Sequence, residues 1–314
     1  MTAHQNASKP QKHDFREYAF HWFETYSRPN VEKVTAITYE RQLEIHICPA
    51  FEGMAIEDIR TAEVQAMFNA MHGAKETKIK VKNVLNMVFS QAMEDELIIR
   101  NPLTSKSLRI TGQSSKATQP YSVEQMQFLA ASVPRIQDPT DRAYLALQAL
   151  HPLRLEETLG LIYADIDRRS MTIRIARAVT HPDRNMPLIK TTKTEASKRI
   201  IDLVPEIANF LPLGRPSDFI FGGEQPLNYQ QVKRMLERIR REIGFDEPIS
   251  PRRFRTTVLT DLYDSTKDIK LAQAAAGHTT SDMTLKHYVK GRMEKSNTAQ
   301  PISKLYGLCD VTDM

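Results

Sequence analysis

The sequence predicts a mainly α-helical protein with one small antiparallel β-sheet, arranged as a helical domain followed by an α+β domain. Three observations carry that expectation. Apolar residues recur at helical spacing through the first hundred positions, a β-branched stretch bounded by turn residues lies between about 170 and 203, and a basic Ser/Thr-rich stretch without acidic residues separates the halves.

Residues 1–13 are polar and expected to be disordered. Asp14 is then placed to cap a helix over about 14–26, on which Phe15, Tyr18, Ala19, Trp22 and Phe23 share a face. Similar patterns predict helices over 34–46, 61–71 and about 75–98. Asn101-Pro102 closes the series, because the residue before proline is pushed out of the helical region, so the helical domain is expected over 14–102. Residues 103–120 read as a linker whose Lys106, Arg109 and Lys116, without opposing acids, suggest a path along something anionic.

The second domain is expected over 121–296, opening on a helix with Ser122 as N-cap and Glu124 in its first turn. Within it SMTIRIARAVT, NMPLIKTTK and ASKRIIDLV read as strands of a single sheet, and helices are expected around 205–211, 227–242 and 253–276. The tail over 297–314 carries an apolar pattern at Ile302, Leu305 and Leu308, expected to form a helix that docks on a neighbouring copy of the chain.

Hydrophobic content of 41% and charged content of 26% over 314 residues belong to a folded globular chain rather than a fibrous or disordered one. A net charge of +5 favours an acidic partner such as nucleic acid. The two cysteines, Cys48 and Cys309, lack the spacing of a disulfide framework or a zinc site, so a reducing cytoplasm is expected and no metal. MTAHQNASKPQKHDF has no apolar signal region and no later stretch approaches eighteen apolar residues, which argues against secretion and against a membrane partner.

Several cationic groups admit two readings. Lys75, Lys78 and Lys82 are placed on one face of the 75–98 helix, opposite Ile79, Leu85, Val88 and Phe89, where they are either a solvated face or phosphate contacts; the same choice applies to Lys233 and Arg234 in QVKRMLERIRREIG. In HPLRLEETLGL, Arg154 and Glu157 are a helix-terminal ion pair or part of a site. In ISPRRFRTTVLTDLYD, Arg252, Arg253 and Arg255 surround Phe254, and such a cluster is hard to place in a core unless it faces an anion. Lys193 is either a surface turn lysine or an acid at the tip of the sheet, and His278 and Tyr288 follow in AAGHTTSDMTLKHY.

Together Arg, Lys, Arg, His and Tyr suit phosphoryl transfer without metal or other cofactor. A phosphodiester entering a five-coordinate state gathers charge on its non-bridging oxygens, which two guanidiniums can clamp. A tyrosine hydroxyl, at a pKa of about 10, needs in-line placement and help with its proton. The departing 5′-oxygen needs a proton, which a lysine can supply. A phosphotyrosine ester keeps the energy of the broken bond, so rejoining needs no ATP.

These blocks, in this order over about 14–290, resemble the tyrosine recombinases, the family of phage and conjugative-element integrases and Xer recombinases. The resemblance implies a helical, SAM-like core-binding DNA-binding domain and an α+β catalytic domain. ALHPLRLEETLGLIYADID is similar to the block of the first catalytic arginine, Arg154, with Glu157 orienting it; KTEASKRIIDL is similar to the hairpin block of the catalytic lysine, Lys193. SPRRFRTT resembles the His-x-x-Arg block, making Arg255 the second clamp arginine and putting Arg252 at the histidine position, where a permanently charged guanidinium implies phosphate positioning rather than proton acceptance. AAGHTTSDMTLKHY resembles the last block, with His278 a phosphate ligand and Tyr288, ten residues on, the nucleophile. The resemblance further implies double-stranded recombination sites as substrate, a homotetramer on DNA and an accessory directionality factor as a further partner. Two alternatives stay open: a Xer-like resolvase with the same chemistry, and a non-catalytic regulator in which TKDIKLAQAAAGHTTSDMTLKHY is a helix-turn-helix.

Overall fold

The computed structural model describes residues 12–115, 117–183, 186–191 and 199–277, and the chain divides into two compact units, one ending at Ala117 and the next beginning at Thr118. Lys116, Lys193, His278, Tyr288 and the expected 297–314 helix lie outside the described residues.

The first unit is helical. Asp14 caps α1 (Phe15–Trp22) by accepting the Glu17 N–H at 3.0 Å, and α1 buries Phe15, Tyr18, Ala19 and Trp22 before running into a π-helical turn. Next come α2 (Lys33–Gln42), α3 (Thr61–Ala70) and the long α4 (Lys75–Glu94). Ring contacts of Phe15 with Phe51 at 4.9 Å and Phe89 at 5.9 Å mark the middle of its core.

The face of α4 differs from the sequence expectation. Its buried stripe runs through Lys78, Val81, Val84, Leu85, Val88, Phe89 and Ala92, while Ile79 is 40% exposed. Lys78 therefore lies on the apolar face and not beside Lys75 in solvent. Its stem packs inward and its Nζ donates to the Phe68 carbonyl at 2.9 Å, so this lysine is a tie between α3 and α4.

Asn101 follows α4 as a buried cap, accepting the Leu103 N–H and donating to the Asn86 side chain, both at 2.9 Å. The stretch beyond it is no free tether. Gln65 and the Arg109 backbone exchange hydrogen bonds at 2.8 and 2.7 Å, Lys75 N donates to Gln113 O, and Ser115 donates twice to Glu76 in the first turn of α4. Up to Ser115, the basic stretch is fastened to α3 and α4.

In the second unit Ser122 caps α5 (Val123–Ser132) and Asp138 caps α6 (Pro139–Leu150). α6 is the centre of this core, its Ala143–Leu147 run fully buried. After α7 (Leu155–Leu159) come β1 (Ile166–Asp167), β2 (Thr172–Ile175), β3 (Arg177–Asp183), β4 (Met186–Thr191) and β5 (Arg199–Asp202). They form two sheets rather than one. β1-β2-β5 is antiparallel, with Ile173 opposite Ile201 and Ile175 opposite Arg199, whereas β3 and β4 pair as a separate hairpin. Ile173 and Ile175 face the core from β2, while Met186 and Ile189 of the hairpin are exposed.

α8 (Tyr229–Ile243), α9 (Pro251–Thr266) and α10 (Ile269–Ala276) complete the unit. The helices expected over 253–276 are α9 and α10, separated where Lys267 takes φ +54° and Asp268 accepts the Lys270 and Leu271 N–H groups to start α10. The segment near 205–211 is a 3-10 turn, Pro205–Phe210. Among the described residues no helix is long and apolar enough to cross a membrane.

Lys78→Ala leaves the Phe68 carbonyl without this donor and is expected to cost about 1–3 kcal/mol. Lys75→Ala, on the exposed face, should stay within about 0.5 kcal/mol. Urea unfolding followed by the fluorescence of Trp22, the single tryptophan of the chain, reads both.

Candidate functional site

α6 stops at Leu150, and a tight connection through His151, Pro152 and Leu153, closed by the Leu153 N–H on the His151 carbonyl at 2.8 Å, leads to Arg154, the residue preceding α7. His151 fixes this corner. Its Nε2 accepts the Val204 N–H at 3.2 Å and its Nδ1 faces the Leu147 carbonyl at 3.1 Å; burial pushes its pKa down to about 4, so it holds the turn as a neutral imidazole.

Glu157, in the first turn of α7, is the hub of the cluster. Its Oε2 accepts the Arg154 backbone N–H at 2.8 Å and its Oε1 accepts Arg154 Nη1 at 2.7 Å. Arg199, the first residue of β5, grips both carboxylate oxygens, Nη1 on Oε1 and Nη2 on Oε2, each at 2.9 Å. Arg255 on α9 brings Nη1 to 3.8 Å from Oε2. Burial alone would raise the Glu157 pKa, yet the hydrogen bonds and charge of Arg199 and the charge of Arg154 bring it down to about 2.

The guanidiniums differ in access. Arg154 keeps 37% of its side chain exposed, whereas Arg199 and Arg255 keep 9% and 8%. Arg255 also donates to the Pro152 carbonyl and, at 2.7 Å, to the Ala276 carbonyl at the end of α10, while Arg199 Nε donates to Ala275 O at 3.2 Å. Beneath α7, Gly160 allows β3 to approach so closely that an added Cβ would lie 2.7 Å from the Arg177 carbonyl oxygen. Buried Asp165 then ties the sheets together through Arg174 and Arg177. The arrangement presents one partly exposed cation, Arg154, held rigidly beside a mostly buried cationic cluster. It can bind an anionic oxygen through guanidinium hydrogen bonds.

Of the residues the sequence singled out, the structure brings together Arg154, Glu157 and Arg255. Arg252 is exposed in the first turn of α9, three positions before Arg255. Arg253 turns the other way, with its guanidinium carbon 3.9 Å from the centre of the Tyr121 ring and an ion pair to Glu247, so it belongs to packing. Thr191 at the end of β4 and Arg199 at the start of β5 flank the segment that contains Lys193, and Gly277 directly precedes His278.

Lys75, Lys106, Lys233 and Arg234 are exposed and Lys82 is half-buried. Arg109 folds its guanidinium back onto the Lys106 and Leu108 carbonyls. On α8, Lys233 and Arg234 line a groove of mixed charge with Arg238, Arg241, Glu237 and Glu242, and Arg238 is gripped in a fork by Asp141, whose carboxylate is fully buried.

Arg199 is the residue that sequence reasoning missed. Its signal was faint: a cation opening a β-branched strand, with Glu157 already matched to Arg154 three positions away.

The chain matches two family models, the phage integrase family over residues 121–295 and the phage integrase N-terminal SAM-like domain over residues 14–72. Tyrosine recombinase XerC of Thermodesulfovibrio yellowstonii is 28% identical over 173 residues, which cover 52% of this chain and 56% of that protein, little more than half its length. The Tn1549 transposon integrase, solved in complex with a circular intermediate DNA, superposes with a TM-score of 0.76 at 17% identity, covering 95% of this chain and 100% of that one. A lambda integrase tetramer bound to a Holliday junction gives a TM-score of 0.66 at 16% identity, covering 92% and 80%. At these identities the likeness of the structures is one of fold.

Because folding holds the Glu157 pKa near 2, below its ordinary 4.5, the stabilisation is present in full above about pH 4.5 and is lost as pH falls through about 2. Its size is about 3 kcal/mol. Glu157→Gln should therefore unfold at lower denaturant than wild type at pH 7, with the gap narrowing steadily below pH 4. A gap that stays constant down to pH 2 would contradict the carboxylate's role as hub.

Proposed function

The chain belongs to the phage integrase family, and on that premise we propose that it is a site-specific DNA recombinase, cleaving and rejoining duplex DNA through a 3′-phosphotyrosine without metal or ATP. The observation that carries the reading is the Glu157-centred cluster, which holds Arg154 at a fixed, partly exposed position beside Arg255.

In this reading Tyr288 attacks the scissile phosphate in line. Its oxygen forms the new P–O bond, the bond to the 5′-oxygen breaks, and Lys193 delivers the proton that the leaving oxygen needs. Arg154 and Arg255 bind the non-bridging oxygens, which carry most charge in the five-coordinate state, with His278 and Arg252 as further phosphate ligands. The tyrosine proton goes to water or to a neighbouring base. The 5′-hydroxyl of a partner duplex then displaces Tyr288, and two such rounds pass through a Holliday junction. Four protomers around two sites satisfy that scheme, and the lambda integrase tetramer on a Holliday junction supports it through the shared fold.

Exposed Lys75, Lys106, Lys233 and Arg234, with Lys82, are proposed as sequence-independent phosphate contacts that position the duplex. Lys116 and Arg109 complete that set, Arg109 only by releasing its own loop carbonyls. The enzyme would act in the bacterial cytoplasm, where the DNA is, with an accessory protein setting direction. A non-catalytic helix-turn-helix regulator would give Arg154, Glu157 and Arg255 no task.

A nicked duplex carrying the recombination site, which traps the covalent product by losing the 5′-strand, should yield a protein–DNA adduct. Tyr288→Phe should yield none, and Arg154→Gln should slow its formation by about 10²- to 10³-fold while DNA binding changes little. An undiminished adduct from Tyr288→Phe would refute the assignment of the nucleophile.

A further inference from the structure

We propose that Arg199 is a positioning residue of this site: it orients Glu157, keeps the charge of Arg154 available to the scissile phosphate, and ties both to the segment that leads into His278 and Tyr288. The inference rests on the recombinase reading above.

The geometry is specific. Arg199 opens the edge strand β5 opposite Ile175, so its side chain shares the buried face of the sheet with that residue and reaches Glu157 across 42 positions of sequence. A two-pronged grip fixes the plane of the carboxylate as well as its distance. Arg154 meets the same carboxylate through one guanidinium nitrogen, at Oε1. With the Arg154 backbone N–H on Oε2, the Arg199 fork sets the orientation of Glu157, and through it that of the Arg154 guanidinium.

Charge leads the same way. Glu157 carries one negative charge among three guanidiniums. With Arg199 occupying both of its oxygens, Glu157 screens Arg154 only in part, and the cluster keeps a positive surplus toward an anion. Without Arg199 the carboxylate would draw on Arg154 for most of its pairing, weakening the one cation of the three that stays accessible.

The third link is the end of α10. Arg199 Nε holds the Ala275 carbonyl and Arg255 holds the Ala276 carbonyl, after which Gly277 takes φ +61° and turns the chain. A Cβ on Gly277 would lie 2.8 Å from Arg199 Nη1, so a larger residue would have to displace that guanidinium as well as adopt a left-handed conformation that favours glycine. Arg199 therefore fixes the place from which the chain departs toward His278 and Tyr288. A lysine, with a single ammonium, cannot bridge both carboxylate oxygens and reach Ala275 as well.

The experiment uses the full chain with Arg199→Lys, Arg199→Gln, Glu157→Gln and the Arg199→Gln/Glu157→Gln pair, reading DNA affinity, melting temperature and single-turnover adduct formation on nicked DNA. If the role is right, Arg199→Lys stays folded and binds DNA as wild type does, yet forms adduct about 10- to 100-fold more slowly, as small misplacements at a reacting centre do. The paired variant should be no slower than Glu157→Gln alone, since both changes remove one arrangement. A wild-type rate in Arg199→Lys, losses that multiply in the pair, or a loss that tracks the loss of folded protein in both Arg199 variants would overturn the role. No adduct from the wild-type chain would overturn the recombinase reading and this role with it, whereas wild-type adduct with an unimpaired Arg199→Lys overturns the role alone.

Discussion

A carboxylate taken out of water among three guanidiniums is the constraint on which the second unit depends. Left alone at 7% exposure, Glu157 would cost the fold several kcal/mol, and it is tolerated because every pairing direction around it is filled. The partners come from separate elements: Arg154 from the start of α7, Arg199 from β5, Arg255 from α9. None of these elements can shift without leaving a buried charge short of a partner. The polar cluster thus acts as a three-way lock inside a unit whose interior around α6 is otherwise mostly apolar, apart from the buried carboxylates Asp141, paired with Arg238, and Asp165, paired with Arg174 and Arg177.

Local relations account for what the sequence revealed of this lock. Arg154 and Glu157 stand three positions apart across a helix start, so their pairing could be read from spacing, as could the caps at Asp14 and Ser122. Arg199 meets Glu157 from 42 positions away, and nothing in the composition of RIID distinguishes it from a surface cation. The three arginines around Phe254 show the same limit. Successive helical residues point about 100° apart, so Arg252 and Arg255 share a side while Arg253 goes to Tyr121. Which side mattered depended on elements distant in sequence, Glu157 on α7 and Tyr121 before α5.

The other departures share that cause. Helical spacing groups Lys78 with Lys75 and Lys82, but the buried stripe through Val81, Leu85 and Val88 passes through its position, and a long stem with one reachable carbonyl makes a buried lysine tolerable. The strands were legible from β-branched content. Their division into two sheets was not, since β2 passes over its neighbours β3 and β4 in sequence to pair with β5. The basic stretch after Asn101 has the composition of a flexible linker, and only its hydrogen bonds to Gln65, Lys75 and Glu76 show it fastened as far as Ser115.

The ends of the helices explain why arginine is needed at two of these positions. A helix C-terminus carries roughly half a negative charge on its unpaired carbonyls and would repel a phosphate brought near it. α10 ends beside the cluster, and its last two carbonyls, Ala275 and Ala276, are covered by Arg199 and Arg255. α7 and α9 bring the opposite ends: Arg154 immediately precedes α7, and Arg252 and Arg255 lie in the first two turns of α9. An anion approaching Arg154 therefore meets a helix end, that of α10, whose last carbonyls are already covered. The guanidiniums that pair Glu157 also perform that cancellation, and this double duty requires a planar group with several donors pointing in different directions.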